Sequence, residues 1–115
     1  MLMKLQPQHI YLIAGEASGD FLGAQLMKAL KKQNSSLSFS GVGGDLMKAE
    51  GLNSLFPMTD LSVMGISEIL PRLGLLIKRI RQTAEDITHK KPDIVVTIDA
   101  PDFCFRVIKK VKKRS

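Results

Sequence analysis

The segment IYLIAGEASGD, residues 10–20, decides the fold of this chain. It opens with the nearly unbroken apolar run Ile10–Ala14, which is typical of a strand buried on both faces of a parallel sheet. After Gly15 the spacing of the apolar residues becomes helical, with a leucine at every fourth position from 22 to 30. The segment therefore predicts a strand, a tight turn and a helix, the first unit of an α/β fold.

Two further segments continue the alternation of strands and helices. Residues 37–39 predict a second strand, and the glycine-rich turn 41–44 separates it from a short helix over 45–50. Residues 94–98 form a third apolar run, which predicts another buried strand, and an amphipathic stretch follows the sequence DAPDF at 99–103. Strands that are separated by helices predict βαβ units and hence a parallel sheet.

The longest helix is predicted between the second and third strands. From Ile66 to Ile87 the apolar residues step by three and four, and Pro71 is expected in the first turn of this helix or at a kink. From the residues alone this helix has two interpretations. It is either an ordinary core-facing helix, which we favour at this point, or an interfacial helix, because basic residues surround the consecutive apolar residues 75–77.

Length and composition indicate one domain or a piece of one. With 115 residues, 44% of them hydrophobic, the chain can bury one modest core. Its single cysteine, Cys104, excludes an internal disulfide, and the lack of a secretory leader then predicts a reducing, cytoplasmic setting. Its longest apolar region, 66–80, is interrupted by charged residues, so we expect no membrane-spanning helix.

The distribution of charge argues against a nucleic-acid partner. Five of the 17 basic residues lie in the segment 109–114, and without them the net charge falls from +6 to +1. A basic face spread over the fold is therefore not expected, and aromatic residues that could stack on bases are scarce. We also predict no metal site, because His9 and His89 lie far apart and have no ligand spacing around them.

Candidate functional residues follow the first and third predicted strands. In open parallel sheets, ligands bind beyond the carboxyl ends of the strands. Glu16 and Asp99 each follow a hydrophobic strand, and neither has an evident basic partner in its own segment, which favours a functional role for both. A carboxylate at such a position can act as a general base toward a hydroxyl group within hydrogen-bond reach.

The other polar residues and glycines near the two strand ends have alternative explanations. Ser18 fits either the N-cap of the first helix or a ligand-binding residue, and Asp20 fits either a favourable charge in the first helical turn or a ligand-binding residue. Gly15 and Gly19 fit a tight turn that lets the backbone approach a ligand, or one that only avoids a steric clash. Asp102 is interpreted as a cap of the last helix.

Four sequence blocks in the same order carry a family resemblance. They read IAGEASGDFLGAQL, FSGVGG, SLFPMTDLSVMGISEIL and PDIVVTIDAPDF. Together they resemble the amino-terminal part of lipid-A-disaccharide synthases, from about Ile10 to about Lys110. The resemblance implies a partial amino-terminal domain of a GT-B glycosyltransferase, which is a Rossmann-like parallel sheet with flanking helices on the acceptor side of a cleft. Residues 1–115 would then be a truncated form of that domain, without the nucleotide-sugar domain.

The resemblance also implies a reaction and its partners. The expected enzyme is an inverting hexosyltransferase that joins UDP-2,3-diacylglucosamine to 2,3-diacylglucosamine 1-phosphate. It releases UDP and the β-1,6-linked disaccharide 1-phosphate of lipid A biosynthesis, and no metal or other cofactor is expected. The implied setting is the cytoplasm of a Gram-negative bacterium, peripheral to the inner membrane.

The matching blocks assign roles to individual residues. The resemblance implies that Asp99 is the general base that deprotonates the acceptor 6-hydroxyl, while Glu16 orients the acceptor or shares that task. Around Glu16 we predict a substrate-binding turn formed by Gly15, Ser18, Gly19 and Asp20. The resemblance further implies an apolar surface toward the membrane or the acyl chains, which reverses our preference for the long helix. That surface consists of Ile69, Leu70, Leu73, Leu76 and Ile77.

The chain departs from the family in length, because it ends at Ser115, in or just after the helix that follows DAPDF. We therefore expect the 115-residue chain alone to be inactive as a transferase. By this resemblance it would be a truncated product, an excerpt, or one half of a split enzyme whose partner chain carries the rest, and the sequence does not decide among these. The alternatives are a non-catalytic α/β module that binds an anionic lipid or a nucleotide through its glycine turns and basic tail, and an inactive relic. The sequence does not predict an oligomeric state.

Overall fold

The computed structural model describes residues 8–62 and 66–114, with side chains from residue 72 onward in the second range. Three strands alternate with helices along the chain, as the sequence predicts. The elements are β1 (His9–Ile13), α1 (Ala17–Gln33), β2 (Ser38–Val42), α2 (Asp45–Ala49), a 3₁₀ helix (Met58–Leu61), α3 (Ile66–Lys90), β3 (Ile94–Thr97) and α4 (Pro101–Arg114). In the described part of the chain, no helix is both long enough and apolar enough to cross a membrane.

The strands form a parallel sheet in the order β2-β1-β3, with β1 at its centre. Leu12 lies between Gly41 of β2 and Val96 of β3. A central strand of this kind is covered on both faces, and this is why its residues form an uninterrupted apolar run. The connection after β1 leads to one neighbouring strand, and β3 lies on the other side, so the carboxyl ends of β1 and β3 flank a topological switch point.

Alternate residues of β1 face two separate hydrophobic cores. On one face, Ile10, Leu12 and Ala14 are buried with residues of α1 and α2, among them Met27 and Met47. On the other face, the buried residues come from β1, β2, α3, α4 and the segment before the 3₁₀ helix. They are Tyr11, Ile13, Val42, Phe56, Ala84, Ile87, Phe103, Cys104 and Val107. The predicted α/β fold, a parallel sheet with helices on both faces, is confirmed.

The second strand, the third strand and the position of Pro71 differ from the sequence-based prediction. The prediction of a buried strand over 94–98 was wrong, because β3 ends at Thr97, lies at the edge of the sheet and has Ile94 45% exposed. β2 covers Ser38–Val42, so Gly41 and Val42, which we assigned to a turn, belong to the strand. Gly41 has a φ of +136°, and a Cβ there would collide with the carbonyl oxygen of Leu12. The strand can therefore approach β1 only because this residue is glycine. Pro71 lies in the second turn of α3, one turn later than expected, and the helix continues past it.

Candidate functional site

The candidate site is the edge of the sheet where β1 and β3 end side by side. Ile13 and Thr97 are the last paired residues of β1 and β3. Directly after them, the N–H of Ile98 donates to the carbonyl oxygen of Ile13 at 3.0 Å. The next residues on the two strands are the turn that contains Glu16 and the loop that contains Asp99. The parallel pairing thus brings together Glu16 and Asp99, the two acidic residues that the sequence singled out, although they are 83 residues apart.

Asp99 binds the backbone of the turn that follows β1. Its Oδ1 accepts a hydrogen bond from the N–H of Gly15 at 2.5 Å, and its Oδ2 accepts one from the N–H of Glu16 at 3.2 Å. These N–H groups lie at the amino end of α1, where the helix dipole favours a negative charge. Gly19, in the first turn of α1, has no room for a Cβ, because it would collide with Asp99 Oδ2. Gly15 and Gly19 therefore allow Asp99 to pack directly against the turn.

The backbone of the Asp99 loop is fixed by the start of α4. Ala100 has a φ of +54°, which is unfavourable for a residue with a side chain, and Pro101 follows at the first position of the helix. The Sγ of Cys104 donates to the carbonyl oxygen of Asp99 at 3.3 Å. Burial, together with the charge of Asp99, raises the pKa of the Cys104 thiol to about 11. Cys104 is thus a protonated, buried donor that holds the loop.

Glu16 presents its carboxylate to solvent at the same edge. It is the N-cap residue of α1, where its carbonyl oxygen accepts the N–H of Asp20 at 2.9 Å, while its side chain makes no capping hydrogen bond. The residue is exposed. The site therefore combines one carboxylate that is oriented by two backbone N–H groups with a second one that is free to reach a ligand. Each Asp99 oxygen can still accept a further hydrogen bond.

Ser18 and Asp20 both lie in the first turn of α1, and only Ser18 differs from the structural role that we predicted for it. Glu16, not Ser18, is the N-cap, because α1 begins at Ala17 and Ser18 lies inside the first turn with an exposed side chain. Asp20 is only 5% exposed. Its carboxylate accepts three backbone hydrogen bonds, from Gly44 at 2.9 Å, Leu46 at 3.0 Å and Met47 at 2.9 Å. Asp20 thus lies in the first turn of α1, as predicted, and in addition caps α2. Its binding of substrate stays a prediction.

The glycine-rich turn before α2 makes room for internal side chains. A Cβ at Gly44 would lie 2.6 Å from Asp20 Oδ2, and one at Gly43 would lie 2.6 Å from the sulfur of Met47. The N–H of Gly43 donates to the hydroxyl oxygen of Ser54 at 3.1 Å. The backbone donors of this turn are therefore bound to the protein's own Asp20 and Ser54.

Ser62 is a residue of the site that the sequence analysis missed. Its hydroxyl group donates to the carbonyl oxygen of Gly15 at 3.0 Å, across 47 positions of the chain. Ser62 directly follows the 3₁₀ helix Met58–Leu61. It lies within one of the four blocks that carry the family resemblance, and that position was the one available signal for it.

The apolar surface predicted on α3 meets the Asp99 loop in one groove. Leu73 and Ile77 are 47% and 48% exposed, and Leu76 is half-buried. All three line a groove of about 490 Å³ whose opposite wall includes Ala100 and Pro101, the two residues after Asp99. Two of the predicted surface residues, Ile69 and Leu70, have side chains outside the described residues.

The described residues include no candidate metal site. In ranges 8–62 and 66–114, no group of three or more His, Cys, Asp or Glu residues is arranged to hold a metal ion. His9 lies at the start of β1, at the opposite end of the sheet from Asp99, and its Nδ1 is 2.6 Å from the hydroxyl oxygen of Ser38.

Comparisons with known proteins agree with the blocks quoted above. The model of the lipid-A-disaccharide synthetase family matches residues 10–115. The chain is 54% identical over 104 residues to the lipid-A-disaccharide synthase of Gluconobacter oxydans, covering 90% of this chain and 25% of that protein. It is 55% identical over 106 residues to the synthase of Paramagnetospirillum magneticum, covering 91% of this chain and 27% of that protein. It thus spans about a quarter of the length of these curated relatives.

Proposed function

The chain belongs to the lipid-A-disaccharide synthetase family, and on that premise we propose that it forms the acceptor side of an inverting glycosyltransferase. The whole enzyme would transfer the sugar of UDP-2,3-diacylglucosamine to 2,3-diacylglucosamine 1-phosphate. The observation that carries the proposal is the pair of Asp99 and Glu16 at the switch point of the sheet, one carboxylate oriented by the backbone and the other exposed. The proposed setting is cytoplasmic and peripheral to the inner membrane.

In the proposed reaction, the acceptor 6-hydroxyl attacks the anomeric carbon of the donor from the face opposite to UDP. A new C–O bond forms, the bond between that carbon and the diphosphate breaks, and UDP leaves with the electron pair. The hydroxyl proton moves to a carboxylate, for which we propose Asp99, since two N–H groups orient its oxygens. Glu16 would orient the acceptor or share the proton transfer, because its side chain is exposed beside Asp99.

The groove beside the Asp99 loop supports the proposal that the substrate is acylated. Its wall on α3 is formed by exposed leucine and isoleucine side chains, and its other wall begins one residue after Asp99. An acyl chain that lay on Leu73 and Ile77 would therefore keep the sugar hydroxyl near the carboxylates. The same apolar residues would contact the membrane before the substrate binds, as we propose for a peripheral enzyme.

The competing function is a non-catalytic module that binds a nucleotide or an anionic lipid. Phosphate binding at a glycine-rich turn requires free backbone N–H groups at the start of a helix. At α2 these groups bind Asp20 instead, and the N–H of Gly43 binds Ser54. The carboxylate of Asp20 thus occupies the place at the amino end of α2 where a phosphate would bind. This favours the transferase over a module that binds a nucleotide at this glycine-rich turn. An inactive relic is the third candidate.

A chimaera tests the proposed function. In it, residues 10–115 of this chain replace the matching segment of the Gluconobacter oxydans relative, whose remaining length supplies the rest of the enzyme. Formation of the disaccharide 1-phosphate from the two proposed substrates, measured by mass spectrometry, supports the transferase. A folded chimaera without product would contradict it and favour the relic. Salt-sensitive binding of the 115-residue chain to anionic vesicles that is lost on deletion of residues 109–115 would favour the module.

A pair of matched substitutions tests the acyl groove. Leu73 of α3 and Leu46 of α2 have the same exposure, 47%, but only Leu73 lines the groove. In the chimaera, Leu73→Ser is expected to raise the KM for the diacylated acceptor several-fold, since less apolar surface is buried on binding, while Leu46→Ser leaves it unchanged. Equal effects of the two substitutions would contradict a role of the groove in acyl binding.

A further inference from the structure

The segment 60–62 is anchored on α3 at its first residue. Asp60 Oδ2 accepts a hydrogen bond from Nε of Arg79 at 3.0 Å and forms an ion pair with Nη2 of the same residue at 2.8 Å. The side chains of Asp60 and Arg79 are only 17% and 18% exposed. The guanidinium group of Arg79 also lies over the ring of Phe56, with 4.8 Å between its central carbon and the ring centroid. A charge-assisted pair that is largely shielded from water holds its partners in one geometry. Asp60 is therefore fixed relative to α3.

At its other end, the segment 60–62 contacts the turn of the candidate site. Ser62 donates to the carbonyl oxygen of Gly15 at 3.0 Å. The N–H of Glu16 belongs to the same peptide unit as that carbonyl group, and it donates to Asp99 Oδ2 at 3.2 Å. Both polar atoms of the Gly15–Glu16 peptide are thus bound from opposite sides, by Ser62 and by Asp99. A peptide plane held at both ends sets the direction in which the side chain of Glu16 leaves the backbone.

We infer that Ser62 is a positioning residue of the candidate active site, acting through the Gly15–Glu16 peptide. The segment 60–62 links α3, which carries one wall of the apolar groove, to the turn that carries Glu16. The groove and the carboxylates therefore keep a fixed relative position. The inference rests on the proposed transferase function, and it assigns to Ser62 a role in orientation, with no direct contact to the reacting atoms.

Kinetics of the chimaera test the inference. Ser62→Ala removes the donor to Gly15, and we expect kcat to fall about tenfold with the KM values within about twofold, since misplacement of a catalytic group lowers the chemical step. Ser62→Thr keeps the hydroxyl group and is expected to retain most of kcat. Thr88→Val is the control, because it removes a hydroxyl group that donates to the carbonyl oxygen of Ala84 inside α3. An unchanged kcat in Ser62→Ala, or an equal loss in Ser62→Thr or Thr88→Val, would overturn the inference.

Amide hydrogen exchange tests the same inference without activity. In the Ser62→Ala chimaera, the Glu16 amide is expected to exchange about tenfold faster than in the parent, while Leu12 in β1 is unchanged. Equal exchange at Glu16 in both proteins would overturn the positioning role even if kcat fell. A parent chimaera that makes no product, with faster exchange in Ser62→Ala, would contradict the proposed function but leave the role of Ser62 in holding the peptide supported.

Discussion

Replacing Gly19 with alanine is predicted to destabilise the chain, although alanine favours helices. Alanine in a helix interior is more stable than glycine by about 0.8–1 kcal/mol. At Gly19, however, the new Cβ would collide with Asp99 Oδ2 and lie 2.9 Å from its Cγ. Asp99 must then move away from the N–H groups of Gly15 and Glu16, and hydrogen bonds to a charged group contribute about 1.5–3 kcal/mol each. Loss of even one such bond and strain in the other leave a net destabilisation of about 1–3 kcal/mol.

Gly74 provides the matched control for this substitution. It lies in α3, and a Cβ there would meet no atom within 4 Å. Gly74→Ala is therefore expected to stabilise the chain by about 0.5–1 kcal/mol, the opposite sign to Gly19→Ala. Urea unfolding of the 115-residue chain, followed by circular dichroism, measures both changes. If Gly19→Ala stabilised the chain as much as Gly74→Ala, Asp99 would not be packed against the first turn of α1, and the reasoning for the site would be refuted.

Two substitutions and one measurement of thiol reactivity test other contacts of the fold. Asp20→Asn is expected to lower the free energy of unfolding in urea by about 2 kcal/mol, because an amide nitrogen cannot accept the backbone hydrogen bonds that a carboxylate oxygen accepts. An unchanged unfolding midpoint would contradict the capping of α2. Burial raises the pKa of Cys104 to about 11. We therefore expect Cys104 to react with iodoacetamide at pH 8 at least about 100-fold more slowly in the folded chain than in the urea-unfolded chain. Equal rates in a mass-spectrometric time course would refute this. The hydrogen bond from Lys31 lowers the pKa of Glu50, and those from the backbone N–H groups of residues 8 and 9 lower the pKa of Asp93. The ionised Glu50 and Asp93 therefore contribute their full stability to the folded chain above their ordinary pKa values near 4, and this contribution is lost as the pH falls further. Glu50→Gln should weaken the dependence of the unfolding midpoint on pH between about 4.5 and 2. An identical dependence in both proteins would contradict this prediction.

The central strand and the pair of carboxylates could be predicted from the sequence because both follow from local patterns. The apolar run Ile10–Ala14 has few explanations other than a buried strand. The run at 94–98 predicted a strand correctly, although β3 is partly exposed, and parallel pairing places the residues after β1 and β3 at one edge. This prediction of a shared edge required no assumption about a contact between Glu16 and Asp99. The prediction for β2 was wrong in its bounds, because Gly41 suggested a turn although it belongs to a strand that passes close to Leu12.

The roles of Asp20 and Ser62 could not be predicted, because neither follows from periodicity. Asp20 lies in the first turn of α1, where its charge is already explained by the helix dipole. Its actual partners are backbone N–H groups 24 to 27 residues further along the chain. Ser62 likewise reaches a carbonyl group 47 residues away. Side chain to backbone contacts over such separations depend on tertiary packing, and a single sequence carries no repeating signal for them.

The carboxylate pair is tested most directly by the turnover of the chimaera with each carboxylate neutralised in turn. We predict that Asp99→Asn lowers kcat at least about 100-fold, the lower part of the range for loss of a general base, and that Glu16→Gln lowers kcat or raises the KM for the acceptor. Asp45→Asn, at an exposed aspartate in the first turn of α2, is the control and should leave both constants unchanged. Full activity in both Asp99→Asn and Glu16→Gln would contradict the account, because the pair at the carboxyl ends of β1 and β3 would then have no part in the reaction.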